Sequence, residues 1–426
     1  METIFYAWFM ASSPKRRAPT PIFDNLNHID SNAPPLTLSG IDCSVEFSVL
    51  EQDARFVTRF LLSYDGSSAT FNAYRRELER LCQWSWLINA SSICKLTRED
   101  IEQFVRFALN PPKAWIGVKN VARFANREGE RQPNSNWRPF VAAVSKEAFE
   151  SGEAPDIVNY APSHATTRAT FTALSSFYDY LQSESVISSN PVKLIRQKSK
   201  FIRKDQGAAV VRRLSNLQWD YLIETAELMA DNDPEEHERT LFIITALFGM
   251  YLRISELVAD ERSAPVMSDF RADVDKNWWF HVTGKGNKDR TVTVSQDMLK
   301  ALKRYRRSQT QPALPSPNNM APLIPKLKGS GPVSSTRHIR LIVQRCFDAA
   351  LARMIDDGMS TDAQELKAST VHWLRHTGIS EDVKVRPREH VRDDAGHATM
   401  ATTDRYVDSD RRERHQSARK KRLRDL

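Results

Sequence analysis

The chain has 426 residues, of which 61 are Lys or Arg and 53 are Asp or Glu, so its formal net charge is +8. This length predicts two or three domains, and the 41% of hydrophobic residues suffice for ordinary globular cores. The four cysteines include no Cys-x-x-Cys pair, so the sequence indicates neither a disulfide-rich secreted protein nor a cysteine zinc site. The surplus of positive charge indicates, weakly, a polyanionic partner such as nucleic acid.

The first fifty residues are punctuated by Pro and Ser and contain no long periodic run. We therefore predict an N-terminal arm over residues 1–50 that is largely irregular. Its apolar segment, Ile4–Ala11, is too short to cross a bilayer, and no basic region precedes it as one would in a signal peptide. We expect a cytoplasmic protein that has no membrane partner.

From Glu51 onward, apolar residues recur at the three- and four-residue spacing of amphipathic helices. Thr97 and Asp100 are typical of the N-terminal cap of one such helix. A polar stretch that carries Pro and Trp, residues 111–162, separates the early helices from a last one that ends near Ser188–Asn190. Residues 51–196 are therefore predicted to form a mainly helical domain.

Residues 197–213 form a basic linker, with six Lys or Arg residues and a single acidic one. One interpretation is a solvated connection between two domains. The other is a basic strap that lies on phosphates, because cationic side chains there would displace condensed counterions. In the second interpretation the binding residues are Lys198, Lys200, Arg203, Lys204, Arg212 and Arg213.

A second domain is predicted over residues 214–410. The apolar run Leu241–Leu252 indicates a buried helix. Two segments rich in β-branched and aromatic residues, Trp278–Thr283 and Arg290–Val294, flank a turn-like segment and predict a β-hairpin. The remaining pattern is helical, so the expected fold class is mainly α with a small β-sheet or hairpin in this second domain.

Two cations stand out in this second domain. Arg253 lies three residues before Glu256 at the end of the buried helix, where a salt bridge on one helix would explain the pair. Lys285 stands between two glycines of the hairpin turn, where the backbone can approach a ligand closely. A lysine there can deliver a proton to a nearby oxygen, and a solvated basic turn is the alternative.

Three histidines follow. His372 and Arg375 share one face of a predicted helix. His376 lies four residues after His372, which is the spacing of a zinc-binding helix, and His397 could be a third ligand. The zinc-protease motif requires Glu directly after the first His, however, and Trp373 stands there. Zinc is therefore a minor alternative, and we expect neither a metal nor another cofactor.

Taken together, these residues resemble the motif of the tyrosine recombinases, or phage-integrase family. That motif consists of an Arg with Glu three residues later, a Lys in a β-hairpin turn, His-x-x-Arg, a His after Gly, and finally a nucleophilic Tyr. The matching residues here, in the same order, are Arg253 with Glu256, Lys285, His372 and Arg375, His397 after Gly396, and Tyr406. Each part is weak alone, whereas all six catalytic positions in order are highly specific.

The resemblance covers residues 213–410 closely and 51–195 loosely, the latter as the family's helical core-binding domain. Two departures stand out. Tyr251 occupies a position, two residues before Arg253, where the family often has glycine. The stretch Arg386–Asp394 is more charged than the apolar helix that usually precedes Gly-His.

The resemblance implies a C-shaped, two-domain DNA clamp made of the core-binding domain and an α+β catalytic domain. It implies that Tyr406 attacks a DNA phosphate and forms a 3′-phosphotyrosyl bond, which conserves the phosphodiester energy. Arg253, Arg375 and His397 would hold the phosphate, His372 would accept the proton of Tyr406, Lys285 would protonate the leaving 5′-oxygen, and Glu256 would support the site. We also expect Lys288 and Arg290 to contact DNA.

The family pattern further implies a homotetramer on double-stranded DNA that carries specific recombination sites. We expect integration or excision of a bacterial mobile element at the nucleoid, with accessory DNA-bending or mobile-element proteins as further partners. The basic tail, residues 411–426, contains eight Lys or Arg residues. It is either a disordered tail or, as in the family, a segment that docks on the neighbouring protomer.

Three other functions are left open. A topoisomerase-like or hairpin-forming enzyme would use the same cleavage without two paired sites. A non-catalytic DNA-binding regulator could be built on the same fold, although it would not need Tyr406. A zinc hydrolase would be sensitive to chelators.

Overall fold

The computed structural model describes residues 18–30, 32–144, 148–149, 151–193, 195, 213–261, 263–283, 289–406 and 419. The chain divides into two compact units, Met1–Gln206 and Gly207–Leu426. Helices predominate in both units and the sheets are small, which confirms the predicted fold class. None of the described helices has the length and apolar composition needed to span a bilayer.

The first unit is a helical bundle around one core. Its apolar faces meet through buried residues such as Phe60, Phe71 and Phe177. Thr97 caps the third helix as predicted: its hydroxyl accepts from the Asp100 amide at 3.3 Å, and the Asp100 carboxylate accepts from the Thr97 amide at 2.8 Å. The helices are α1 Phe47–Leu62, α2 Ser68–Leu87, α3 Arg98–Leu109 and α4 His164–Ser183.

The polar stretch between α3 and α4 contains two small sheets that periodicity did not predict. Strand β1, Ile116–Gly117, pairs in parallel with β4, Phe140–Val141, while β2, Phe124–Arg127, forms an antiparallel hairpin with β3, Glu130–Pro133. Strands of two to four residues are too short to show an alternation of apolar and polar side chains. Trp115 and Phe140 are buried in a small separate core beside β1 and β4.

The N-terminal arm is irregular where it is described, but it is not a free tail. Ile22 and Phe23 are 1% exposed, and their amides donate to one carboxylate oxygen of Glu79 at 2.7 and 3.2 Å. Glu79 lies on α2 and is itself fully buried. A single buried carboxylate thus anchors the arm, and no pattern within the arm indicates this partner. Residues 1–17 lie outside the described part.

The second unit packs helices around a three-stranded antiparallel sheet of order β5-β6-β7. The predicted hairpin is confirmed, with Phe280 opposite Val292, and the structure adds β5 at its edge. The strands are β5 Phe270–Ala272, β6 Trp278–Thr283 and β7 Asp289–Thr293. The helices are α5 Asn216–Asn232, α6 Pro234–Gly249, α7 Gln296–Ser308, α8 Thr336–Asp356, α9 Ser360–Lys367, α10 Val371–Asp382, α11 Arg388–Ala395 and α12 Met400–Thr403.

The buried helix predicted over Leu241–Leu252 ends earlier, at Gly249. Tyr251 adopts a left-handed backbone conformation with a φ of 50°, which no continuing helix allows. Arg253 therefore precedes a short 3-10 helix, Ile254–Glu256, instead of lying on α6. This break turns the chain so that Arg253 faces the end of α11.

Candidate active site

The end of α11 is where three arginines of the second unit meet. Arg290 Nε donates to the carbonyl of Asp394 at 3.0 Å, Arg375 Nη2 to that of Ala395 at 2.5 Å, and Arg253 Nη2 to that of Gly396 at 3.1 Å. The last carbonyls of a helix have no partner within it and carry partial negative charge, so guanidinium groups satisfy them well. Three consecutive carbonyls thereby fix three guanidinium groups side by side.

A tight turn at Gly396 makes this arrangement possible. Gly396 closes α11 in the left-handed conformation with a φ of 63°. A Cβ atom there would lie 2.8 Å from Cδ of Arg290, so any other side chain would push that arginine away. Glycine is therefore required at this helix end for conformation and for space.

Glu256 is the carboxylate shared by two of these arginines. It accepts from Arg253 Nη1 at 2.9 Å and from Arg290 Nη1 and Nη2 at 2.7 and 2.8 Å, and its side chain is 3% exposed. Burial alone would raise the pKa of Glu256, but the hydrogen bonds and charge of Arg290, followed by those of Arg253, outweigh it and lower that pKa. The predicted salt bridge between Arg253 and Glu256 is present, as one part of this larger cluster.

Arg375 is the most enclosed of the three arginines, with 3% of the residue exposed. Its Nη1 donates to the backbone carbonyl of Tyr251, so both ends of its fork are held by main-chain oxygens. Burial, then the nearby charge of Arg253, lowers the pKa of Arg375 to about 10. Its guanidinium is therefore still charged at neutral pH.

Tyr406 lies in the 3-10 turn Asp404–Tyr406 and is 8% exposed. Its ring centroid is 5.6 Å from that of His397, with the planes 14° apart, and 5.1 Å from that of His376. The centroid of His376 is in turn 4.3 Å from that of His372. Burial raises the pKa of Tyr406 and outweighs the opposing charges of Arg375 and Arg253.

The histidines around Tyr406 are neutral at neutral pH. Burial, and then the charge of Arg375, lowers the pKa of His397 to about 4, while burial and then the neighbouring His372 lower that of His376 to about 4. The pKa of His372 is also lowered, by burial and by Arg375. Nδ1 of His397 lies 2.9 Å from the hydroxyl of Thr403, which fixes the ring beside Tyr406. Neutral imidazoles can accept a proton, so the cluster combines a phenol, proton acceptors and fixed cations.

The structure brings together Arg253, Glu256, His372, Arg375, His397 and Tyr406 from four separate segments of the chain. Lys285 and Lys288 lie outside the described residues, as do Lys198, Lys200, Arg203, Lys204 and Arg212 of the basic linker. Arg213 is described and is partly buried.

Arg290 needs a correction. We expected it to contact DNA, but its side chain is 11% exposed and all three of its guanidinium nitrogens donate within the protein. The sequence shows a cation beside a basic turn and does not show that Glu256 lies opposite it. Arg290 is therefore better described as a support of the arginine cluster.

Sequence reasoning missed two residues of this site. His376 was considered only as a zinc ligand, although its ring lies beside Tyr406; its position directly after Arg375 was the available signal. Tyr251 was noted only as a departure from the family, although its carbonyl holds Arg375.

The zinc alternative finds no support in the positions of the three histidines. Among the described residues, the side chains that converge closely enough to hold a metal are Asp233, Glu236 and His237, at the start of α6. Asp233 there caps the helix by accepting from the Glu236 amide at 3.3 Å, which explains its position without an ion.

Part of the chain is similar in sequence to a known protein. No family model matches the chain. The tyrosine recombinase XerC of Chlorobaculum parvum is 29% identical over 140 residues, which cover 31% of this chain and 39% of that protein. The matched part thus spans well under half the length of this relative.

Solved structures match over most of the chain. The XerH site-specific recombinase in its post-cleavage complex with a palindromic difH substrate is 15% identical, with a TM-score of 0.51, and the match covers 90% of this chain and 92% of that one. The Tn1549 transposon integrase in complex with a circular intermediate DNA is 12% identical, with a TM-score of 0.50, and the match covers 87% of this chain and 98% of that one. The fold is that of the tyrosine recombinases, and the predicted resemblance to this family is confirmed.

Proposed function

We propose that this chain is a site-specific DNA recombinase of the tyrosine type, which cleaves and rejoins DNA strands through Tyr406. The observation that carries the proposal is the cluster itself: a buried phenol in contact with two neutral imidazoles, in one site with two arginines whose forks are fixed by main-chain carbonyls. A DNA-binding protein that performs no chemistry would have no need for this combination.

The proposed reaction starts with the phenol oxygen of Tyr406. Its proton passes to an imidazole while the oxygen forms a bond to phosphorus, and the bond from phosphorus to the 5′-oxygen of the next nucleotide breaks. The departing oxygen takes up a proton, which we assign to Lys285. The product is a 3′-phosphotyrosyl bond and a free 5′-hydroxyl. Attack by a 5′-hydroxyl of the partner strand reverses each step and releases Tyr406, so no energy source is needed.

A proton acceptor is required because the pKa of Tyr406 is raised above its usual value. We assign the acceptor to the pair His372 and His376, whose lowered pKa values keep them neutral, with His376 next to the Tyr406 ring. We assign His397, on the other contact of that ring, to donate to the phosphate.

A guanidinium has five N–H groups, and Arg253 and Arg375 each donate two hydrogen bonds within the protein. We assign the remaining N–H groups of both to the non-bridging oxygens of the scissile phosphate, where negative charge grows in the transition state. Their positions are fixed before any substrate binds, so little reorganisation is needed during the reaction. Donors arranged in this way are each worth roughly 3–4 kcal/mol of barrier. The side chain of Arg253 is 34% exposed, which leaves part of its fork accessible to an anion.

The proposed substrate is double-stranded DNA with specific recombination sites, and the proposed assembly is a homotetramer on two such sites. The two matched structures are a site-specific recombinase and a transposon integrase, each in complex with its DNA. We extend this to integration or excision of a mobile element, with the basic linker 197–213 on phosphates. Mixing two differently sized site-bearing DNAs tests the assembly: a complex that contains both is expected.

The central experiment traps the covalent step. Purified full-length protein is incubated in excess EDTA with duplexes tiled across the DNA that flanks its own gene, each nicked close to candidate cleavage positions. We expect a protein–DNA adduct on a denaturing gel. Tyr406→Phe should give none, while Tyr305→Phe, which changes a buried tyrosine elsewhere in the same unit, should behave as the unmodified chain.

The outcomes separate the candidate functions. Specific binding of one duplex without any adduct would overturn the recombinase and favour the DNA-binding regulator. An adduct that EDTA abolishes would overturn the metal-free reaction. An adduct that persists in Tyr406→Phe would overturn the assignment of the nucleophile.

A further inference from the structure

The two departures of this sequence from the family pattern, Tyr251 and the charged stretch Arg386–Asp394, lie in contact with each other. Tyr251 has its backbone in the left-handed region, which favours glycine, and it is 1% exposed. A bulky residue persists in such a conformation only where the surrounding structure holds it. The contacts of its side chain therefore need to be strong.

The phenol of Tyr251 is held by two charged groups. Its hydroxyl donates to the carboxylate of Asp382, the last residue of α10, and lies 2.9 Å from Nη1 of Arg386. Nη1 of Arg386 also lies 3.1 Å from Oδ2 of Asp382. A loop residue, a helix end and the following turn thus share one cluster of hydrogen bonds to charged groups, which are about twice as strong as neutral ones.

Arg386 extends this cluster to the end of α11. Its Nη2 donates to Oδ2 of Asp394 at 2.6 Å. The other oxygen of Asp394 accepts from the amide and the hydroxyl of Thr293 on β7, at 3.0 and 3.2 Å. The bonds therefore run without interruption from Tyr251 through Arg386 to Asp394, and from there to the central sheet.

The two ends of this network, Tyr251 and Asp394, lie at or next to the residues whose carbonyls hold Arg375. Nη1 of Arg375 donates to the carbonyl of Tyr251, and Nη2 to that of Ala395, the residue after Asp394. A shift of either carbonyl would change the direction in which the guanidinium points. The side chains of Tyr251 and Arg386 fix the distance between these two carbonyls from outside the cluster.

We infer that Tyr251 and Arg386 are positioning residues that set the orientation of Arg375 in this chain, in place of the glycine and apolar helix usual in the family. They do not reach the reacting phosphate themselves. The inference rests on the proposed function, because its effect is read in the cleavage step. It also explains why the two departures occur together: without Arg386, the phenol of Tyr251 would face the Asp382 carboxylate alone.

A double-mutant cycle tests the inference. The variants of the full chain are Tyr251→Phe, which removes the hydroxyl alone, Arg375→Lys, which keeps the charge and loses the fork, and their combination. Each is measured for single-turnover adduct formation on the nicked duplex and for affinity to the intact duplex. Tyr305→Phe is the matched control, and Arg386→Lys is a second variant of the network.

We expect Tyr251→Phe to slow adduct formation roughly tenfold in the unmodified background, within the hundredfold that a misplaced group can cost. Affinity for DNA should change less than about twofold, since one phosphate contact among many is involved. In the Arg375→Lys background the same substitution should change the rate by no more than about twofold, because the fork that it orients is gone. Arg386→Lys should behave in the same way as Tyr251→Phe.

A general loosening of the fold would instead slow both backgrounds by the same factor, and that result would overturn the inference. An unchanged rate in both Tyr251→Phe and Arg386→Lys would overturn it as well. If the unmodified chain forms no adduct on any duplex, the proposed function fails first and the inference falls with it, so the two failures can be told apart.

Discussion

Buried charges serve different ends in the two units. In the first unit, Glu77 faces Arg80 at 3.1 Å, and Glu79 faces Arg123 at 3.0 Å while also accepting two amides of the arm. Each of these buried carboxylates is matched by a cation, and the result is a closed structural contact. In the second unit, by contrast, Arg253 and Arg290 share the single carboxylate of Glu256, while Arg375 is held by two neutral main-chain carbonyls.

The difference indicates how to distinguish a structural from a functional charge. A charge that is neutralised inside the fold stabilises it and leaves nothing for a ligand. A cluster with surplus positive charge, held by dipoles at a helix end, remains attractive to an anion. Arg375 and Arg253 are of the second kind, and this is the property that phosphate chemistry requires.

Substitution of Arg375 should have the largest effect on the rate of adduct formation. We expect Arg375→Ala to slow adduct formation by roughly 100- to 1,000-fold, since a fixed donor to the transition state is lost. Single-turnover measurement on the nicked duplex gives the rate. Arg345→Ala, which removes an exposed ion pair of the same unit, is the control and should leave the rate unchanged. A rate within threefold of the unmodified chain would contradict the assignment.

The matching substitution in the first unit is Glu79→Gln. Loss of this buried charge leaves Arg123 without its carboxylate partner and weakens the anchoring of the arm, so we expect a loss of roughly 3 kcal/mol in the free energy of unfolding. Urea denaturation followed by fluorescence measures it, with Glu51→Gln at an exposed pair as control. The adduct rate of DNA-bound protein should not change. If Glu79→Gln kept its free energy of unfolding but formed the adduct more slowly, Glu79 would have a catalytic role and the contrast between the two units would be wrong.

The histidine cluster predicts that the second unit loses stability as the pH falls. The pKa of His376 is about 4 in the folded chain and about 6.5 when unfolded, so the unfolded state binds more protons between these values. The contribution of neutral His376 to the free energy of unfolding is therefore fully present above pH 6.5 and is lost as the pH falls towards 4. Asp53, in the first unit, acts in the opposite direction, because burial raises its pKa and protonation then favours the folded state.

Between pH 7 and pH 4.5, protonation of His376 should lower the free energy of unfolding of the unmodified chain by on the order of 1 kcal/mol, a value reduced for partial exposure of the ring. We expect His376→Gln to lack this decrease. Hydrogen exchange followed by mass spectrometry can assign the change to peptides of the second unit. A pH profile identical to that of the unmodified chain would show that His376 does not titrate as described.

The smallest effect concerns a local contact of the first unit. Thr97→Ala removes the cap of α3 and should cost about 1 kcal/mol of stability, with the adduct rate unchanged. Thr172→Ala, at an exposed position inside α4, is the control and should cost less. Equal losses from both would mean that the capping contact contributes nothing of its own.

Local patterns predicted much of this molecule. The Thr97 cap and the β6–β7 hairpin depend on residues within a few positions of each other, and both were predicted correctly from the sequence. The grouping of the candidate site residues followed from their order and from the family resemblance, not from any single spacing.

What escaped prediction depends on contacts between distant segments. The left-handed turn at Tyr251 is held by Arg386, 135 residues later, and Arg290 meets Glu256 34 residues earlier. A sequence shows that such residues are charged or bulky, but not which partner each one finds. The anchoring of the arm escaped prediction for the same reason, since its partner Glu79 lies 57 residues beyond Ile22.

The central claim is that Tyr406 is the nucleophile, and the most direct measurement is the chemical identity of the adduct. The trapped complex is digested with nuclease and trypsin, and the nucleotide-bearing peptide is sequenced by mass spectrometry. We predict the peptide of residues 406–411 with a nucleotide joined through its 3′-phosphate to Tyr406, and a 5′-hydroxyl on the released DNA end. A nucleotide on any other residue, or one joined through a 5′-phosphate, would contradict the account.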